Sequence, residues 1–311
     1  MPQRQIIIRL IPLLLVAIAV SVGFDRPLAS DGAVSFEPKP RGSTVQKYSD
    51  WMSRLSDDAK LSELSLPGTH DSGALYDSLS FGFAKCQSWR LADQLRAGIR
   101  FLDIRCRRVD DHLLVYHGII DQQLTFREVC DACRTFLEQH PSECIVMSVK
   151  EEAEASNSKR SFAESFSVET QQDGDLWHVT RDVPRLKDVR GRIVLIDRVA
   201  TLGGIHWDGL NRQDQYEAPL DIKSRVVREQ FENATQGDAD QWHINFCSGV
   251  LVKQLVTPRQ YAARSNRATL DFLNQTGTGK RRRLGTVVLD FPGEDLIARI
   301  VESNFDSAPA K

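Results

Sequence analysis

His70 and Asp71 lie in Pro67-Gly68-Thr69-His70-Asp71-Ser72, directly after a short apolar run. Asp103 and Arg105 lie in Gly98-Ile99-Arg100-Phe101-Leu102-Asp103-Ile104-Arg105. Next, Leu113-Leu114-Val115-Tyr116 runs into His117-Gly118. Two histidines, two aspartates and an arginine therefore collect at or near the C-terminal ends of three successive predicted strands. One imidazole can take a proton, the other can give one, and the guanidinium can hold an anion between them. That is a minimal kit for cutting a phosphodiester by general acid–base chemistry without a metal.

The elements that must position these groups follow from periodicity. Leu61–Leu66 reads as a strand ending at Pro67-Gly68, Arg100–Arg105 as the second and Leu113–His117 as the third. Side chains alternate along a strand, so Phe101, Asp103 and Arg105 share a face. Two charges on a buried face are costly unless paired or functional. His70 and Asp71, adjacent on an extended chain, are expected to face opposite ways. Thr125 and Glu128 form a capping box for a helix through Phe126, Val129, Cys130, Cys133 and Leu137, which Pro141 stops. A near-continuous apolar strand at Cys144–Lys150 suits burial on both faces. A weaker helix follows at 156–168, then a strand at Arg192–Arg198 and a weak strand at Gln213–Tyr216. A helix at Asp221–Asn233, a strand at Trp242–Phe246, a helix at Pro258–Asn274 and a strand at Gly285–Asp290 complete the series.

Alternating strands and helices predict an α/β fold, a single irregular (β/α)8 barrel of parallel strands over 48–311. Such barrels carry their chemistry at the C-terminal ends of the strands. Here that end collects His70, Asp71, Asp103, Arg105, His117, Lys150, Glu152, Arg198, Asp214, Tyr216 and Asp290. Leu79, Phe81 and Phe83, with Val250, Leu251 and Val252, fall in loops on the same rim, where apolar side chains can enter a bilayer interface or pack within the loop.

Net charge is −2, so no basic excess points to nucleic acid. Lys280-Arg281-Arg282-Arg283 reads as a solvated loop. Residues 1–29 read as an export signal: Arg4 and Arg9 precede an apolar run from Leu10 to Val22, short for a membrane span. An uncleaved anchor is the alternative, and 30–47 read as a flexible lead-in. The expected location is secreted or extracytoplasmic. Cys130 and Cys133 read as small core side chains on one helix rather than a metal or redox pair.

The His-Asp pair with the Asp-x-Arg strand resembles bacterial phosphatidylinositol-specific phospholipase C, over about Trp51 to Phe305. The resemblance implies that His70 is a general base beside the inositol 2-hydroxyl and that Asp290 orients it. That hydroxyl attacks the neighbouring phosphate, so no Ser or Cys nucleophile is required. His117, partnered by Asp71, is the expected general acid. Calcium-dependent relatives carry an acidic ligand where Arg105 stands, so the expected enzyme uses no metal and no cofactor, with Asp103 holding Arg105. Lys150, Glu152, Arg198, Asp214 and Tyr216 are the expected inositol contacts, and Leu79, Phe81, Phe83, Val250 and Leu251 the expected membrane contacts. The partner implied is phosphatidylinositol in a membrane, engaged transiently by a monomer. Two other readings stay open: a glycerophosphodiesterase-like or phospholipase D-like enzyme, and a silent phosphoinositide-binding barrel. Arg105 weighs against the metal-dependent enzymes, and the joint presence of His70, His117 and Arg105 against the silent barrel.

Overall fold

The computed structural model describes residues 48–276 and 280–306. The expected signal (1–29) and lead-in (30–47) lie outside the described residues. In chain order the main elements are β1 (Leu66–Thr69), α1 (Leu91–Ala97), β2 (Phe101–Val109), β3 (His112–His117), β4 (Ile120–Thr125), α2 (Phe126–Gln139) and β5 (Ile145–Glu151). They continue with α3 (Phe162–Thr170), β6 (Trp177–His178), α4 (Leu186–Val189), β7 (Ile193–Asp197), β8 (Ile205–His206), β9 (Asn211–Gln213) and α5 (Leu220–Gln236). The last are β10 (His243–Phe246), α6 (Pro258–Thr276), β11 (Thr286–Leu289) and α7 (Glu294–Glu302).

The strands form one curled sheet in the order β6-β7-β5-β2-β1-β11-β10-β9, parallel throughout this path. β8 shares the outer edge of β7 with β6. Among the described residues no ladder joins β8 to β9, so the barrel has a seam there. Leu102, Ile104, Met147 and Val149 are fully buried with Val129, Cys130 and Cys133 of α2 in the main core. The capping box predicted from Thr125 and Glu128 opens that helix: each side chain meets the other residue's backbone N–H. All six cysteines are free and buried. No helix of the described residues is long and apolar enough to cross a membrane.

Two expectations need correction. The strand expected at Leu61–Leu66 begins only at Leu66, and Leu61–Glu63 is a 3₁₀ turn. The Lys60 N–H donates to the Glu63 carboxylate at 2.7 Å, closing that turn. The strand then runs through Pro67-Gly68, where β1 and β2 approach closely: a Cβ on Gly68 would lie 2.8 Å from Phe101 Cβ. The third strand is not a parallel barrel strand. β3 returns antiparallel along the far half of β2 and pairs with β4, forming a hairpin outside the parallel ring. An Asp110-Asp111 turn, both residues at positive φ, reverses the chain too tightly for a crossover helix.

Candidate active site

β1 and β11 are neighbours in register, with Thr69 opposite Leu289. Their next residues, His70 and Asp290, are thereby side by side, and His70 Nδ1 lies 2.9 Å from Asp290 Oδ1. A buried carboxylate in that position fixes the imidazole proton on Nδ1 and leaves Nε2 to accept another. Burial disfavours the charged ring, and Arg105 adds to that. The Asp290 carboxylate, helped by Asp71, outweighs both, so the His70 pKa is raised.

Asp71 is not on the opposite face. Its φ of 41° is left-handed, which breaks the extended alternation expected after His70. Its Oδ2 consequently lies 3.7 Å from His70 Nε2, 3.6 Å from His117 Nε2 and 3.2 Å from Arg105 Nη1. This oxygen is buried and makes no hydrogen bond. Burial pushes the Asp71 carboxyl pKa up, and Arg105 with the two imidazoles recovers only part of that rise. His117 arrives at the end of the β3 hairpin. Its Nδ1 donates to the Ala84 carbonyl at 3.0 Å, which aims Nε2 into the cleft. The two imidazoles stand 6.3 Å apart, centroid to centroid, with perpendicular planes.

On β2, Asp103 and Arg105 share a face as the alternation predicts. Arg105 donates from Nε and Nη2 to Asp103 Oδ2 at 3.0 and 2.9 Å. Arg198, one residue past β7, donates to Asp103 Oδ1 at 2.9 Å. Burial penalises the Asp103 charge, yet the two guanidinium groups hold its carboxyl far below the ordinary range. Burial likewise opposes the Arg105 charge, and Asp103, Asp71 and Glu152 raise its pKa all the same. The result is a fixed, buried cation at the edge of two facing imidazoles. Such an arrangement can deprotonate one oxygen, protonate another and hold the anion between them.

A sequence profile described as phosphatidylinositol-specific phospholipase C, X domain, matches residues 64–199. The 1-phosphatidylinositol phosphodiesterase of Listeria monocytogenes is 32% identical over 276 residues, spanning 82% of this chain and 84% of the relative. The chain belongs to the phosphatidylinositol-specific phospholipase C family. It is accordingly an enzyme of the phosphodiesterase class. The 1-phosphatidylinositol phosphodiesterase of Staphylococcus aureus strain Newman is 28% identical over 295 residues, 82% of this chain and 94% of that one. The solved Listeria phospholipase C superposes with a TM-score of 0.74 at 29% identity, covering 83% of this chain and 98% of that structure. A Staphylococcus aureus phospholipase C structure concerned with modulation of membrane binding gives 0.75 at 26% identity, with 84% and 99% covered.

In this phospholipase C-family barrel the expected head-group residues fall in two sets. Lys150 and Glu152 pair with each other at 2.6 Å, and Glu152 also accepts from the Gly118 N–H at 3.0 Å. Burial works against the Glu152 charge, but Arg105 and Lys150 lower its carboxyl pKa. Neighbouring Glu151 faces away and pairs with Arg108 at 2.8 Å. Arg198 stacks over Trp207 at 4.1 Å, with Arg212 also over that ring. β9 ends at Gln213, earlier than the strand expected over Gln213–Tyr216. Asp214 and Tyr216 are therefore on an exposed loop above it. The Gln213 side chain turns the chain there by accepting from the Gln215 N–H at 2.8 Å.

The rim carries an apolar edge. Leu79 and Phe81 are 86% and 84% exposed, while Phe83, Val250 and Leu251 are half-buried. The two loops adjoin: a Cβ on Gly82 would lie 3.1 Å from Thr257. Two features of the site carried no sequence signal of their own. Cys86, in the loop after β1, lies 3.8 Å from His117 Nδ1. Leu255 extends the apolar edge at 68% exposure, set apart from the Val250–Val252 run by Lys253 and Gln254.

Proposed function

We propose that this chain is a secreted, metal-independent phosphatidylinositol phospholipase C that yields diacylglycerol and inositol 1,2-cyclic phosphate. The observation that carries the reading is the convergence of His70 Nε2, His117 Nε2 and Arg105 on one oxygen of Asp71. His70 Nε2 removes the proton from the inositol 2-hydroxyl, and Asp290 steadies the imidazolium that forms. The 2-oxygen attacks phosphorus, and the bond from phosphorus to the glycerol oxygen breaks. His117 Nε2 protonates that leaving oxygen. Arg105 donates to the phosphoryl oxygens as charge builds on them. Because the nucleophile belongs to the substrate, proximity alone can supply roughly 7–11 kcal/mol of the barrier reduction.

Lys150, Glu152, Arg198, Asp214 and Tyr216 bind the inositol hydroxyls in this reading, with Tyr216 against the ring face. The apolar rim of Leu79, Phe81, Phe83, Val250 and Leu251 docks a monomer transiently on the membrane, with no nucleic-acid partner. Residues 1–29 act as the export signal, and 48–311 form the catalytic barrel. Arg105 supplies the fixed positive charge beside phosphate that metal-dependent phosphodiesterases take from an ion. The test is to incubate the purified chain with phosphatidylinositol and excess chelator and follow the products by phosphorus NMR. A five-membered cyclic phosphate is expected first. A linear phosphate first, cleavage that needs added calcium, or no cleavage would overturn the reading.

A further inference from the structure

Cys86 has no part in the acid–base scheme, yet its thiol is buried between the two catalytic histidines. One ligand atom each from His70, Cys86 and Asp290 lie within 4.8 Å of one another. Within that set, His70 Nδ1 and Asp290 Oδ1 are already 2.9 Å apart. We propose that His70, Cys86 and Asp290 form an inhibitory site for a thiophilic divalent cation, Zn²⁺ fitting best, which captures the Nδ1 of the base. The inhibitory part rests on the proposed role of His70.

The donor set is one imidazole, one thiolate and one carboxylate, a combination suited to zinc rather than to calcium or magnesium. The thiolate and carboxylate balance the two charges of the ion. Zinc bonds of about 2.0–2.3 Å in tetrahedral geometry place ligand atoms roughly 3.2–3.7 Å apart. The His70–Asp290 pair must open slightly and the Cys86 side chain must close in, which side-chain rotation can provide. The backbones are already tied together. The Phe291 N–H donates to the Cys86 carbonyl at 3.0 Å. Gln87 Nε2 donates to the carbonyls of His70 and Leu289 at 2.7 and 3.0 Å. Asn266 Nδ2 donates to the Asp290 carbonyl at 2.9 Å.

Cys86 also lies within 4.8 Å of ligand atoms of Asp71 and His117. There, however, Arg105 Nη1 stands 3.2 Å from Asp71 Oδ2 and opposes a cation. The His70 side is favoured for that reason. When the ion binds, the thiol proton goes to solvent and the Nδ1 position of His70 is taken. The neutral ring then carries its proton on Nε2, where it can no longer accept one from the 2-hydroxyl. A water from the cleft completes the tetrahedron. Lys150, Glu152 and Arg198 are not ligands, so substrate binding survives while turnover stops. A chelator therefore relieves this enzyme of zinc instead of starving it.

The test uses the full mature chain, freed of metal, with turnover on phosphatidylinositol measured first; a lack of turnover there counts against the proposed function. Cobalt(II) is then titrated in, and a thiolate-to-cobalt charge-transfer band at one ion per chain is expected. Zn²⁺ should displace the cobalt and cut kcat on a soluble inositol phosphodiester by roughly 10²-fold or more, the range for loss of a general base, with KM little changed. Cys86→Ser should lose the band and weaken zinc inhibition by more than the roughly 10–100-fold that follows loss of a hydrogen-bond partner behind a metal ligand. Cys86→Ala serves if the serine variant does not fold. No band in the wild-type chain, or an undiminished band in the Cys86 variant, overturns the site. Undiminished turnover at saturating zinc overturns the inhibition. The cobalt band needs no catalysis, so its failure is distinct from failure of the proposed function.

Discussion

Asp290→Asn is the sharpest probe of the acid–base reading, because it changes one charge and almost no volume. Asp290 Oδ1 is 2.9 Å from His70 Nδ1, and the carboxyl group is buried. Unit charges centred about 4 Å apart attract by about 4 kcal/mol at an effective dielectric near 20. If half of the imidazolium charge has formed at the transition state, about 2 kcal/mol is lost, which is roughly 30-fold in kcat. An asparagine can also donate to Nδ1 and force the proton onto Nε2, which moves the loss toward the roughly 10⁴-fold of a mis-set catalytic tautomer. The sign of the pH effect is fixed as well. Asp290 raises the His70 pKa, and the base works only when neutral, so wild-type activity falls as pH drops through that pKa. The variant has a lower His70 pKa, so its acidic limb moves to lower pH and its deficit narrows there. The assay is kcat/KM on a soluble inositol phosphodiester across the pH range of both limbs. A deficit below about threefold at every pH, or an acidic limb moved upward, would refute the assignment of His70 as base.

His117→Ala should cost roughly 10²–10⁴-fold on the lipid but far less on an inositol phosphate ester with an aryl leaving group, which departs without a proton; equal losses on both would exclude His117 as the acid. Arg105→Lys should lose roughly 10²–10³-fold in kcat, because an ammonium cannot reproduce the fork that meets Asp103 and the phosphoryl oxygens; a near-normal rate would shift the electrostatic role elsewhere. Leu79→Ser with Phe81→Ser should weaken action on vesicles more than on a soluble ester, since each exposed apolar side chain offers about 1.5–3 kcal/mol on burial; equal effects on both substrates would remove the rim from membrane docking. Asp173 is buried, and although burial penalises its charge, Arg127 and Arg134 lower its pKa. Its stabilisation is therefore full above the unfolded value, about 3.9, and is lost as pH falls through the folded one. Asp173→Asn should melt a few degrees lower at neutral pH, with the gap closing in acid; a gap independent of pH would contradict this.

The barrel was legible where burial on both faces leaves near-continuous apolar runs, as at Ile145–Val149 and Ile193–Ile196. Asp103 and Arg105 were legible too, since charges alternating with Leu102 and Ile104 on a buried strand demand partners. Strand direction was not. An apolar run such as Leu113–Tyr116 looks the same parallel or antiparallel, and the tight turn before it decides. The side of the chain that Asp71 faces was also hidden, because a single left-handed residue reverses it and Asp tolerates that conformation without a glycine to mark it. α1 is only seven residues long, too short to display a period. Cys86 carries no local signal, because its neighbours in space come from the ends of β1, β3 and β11, which no local window brings together.

The seam between β8 and β9 divides the cleft mechanically. His70, Asp290, Asp103 and Arg105 sit on or beside strands bonded edge to edge, β11-β1-β2, so these four groups share one wall, to which the β3 hairpin brings His117. Among the described residues, no ladder across the seam sets the distance from Arg198 at the end of β7 to Asp214 and Tyr216 beyond β9. The chain itself crosses it through Trp207–Gly209, with the Trp207 ring under Arg198 and Arg212 and its carbonyl accepting from Arg212. Any give between β7 and β9 is therefore taken up in the loop that carries Asp214 and Tyr216, whereas Arg198 stays tied to Asp103 at 2.9 Å.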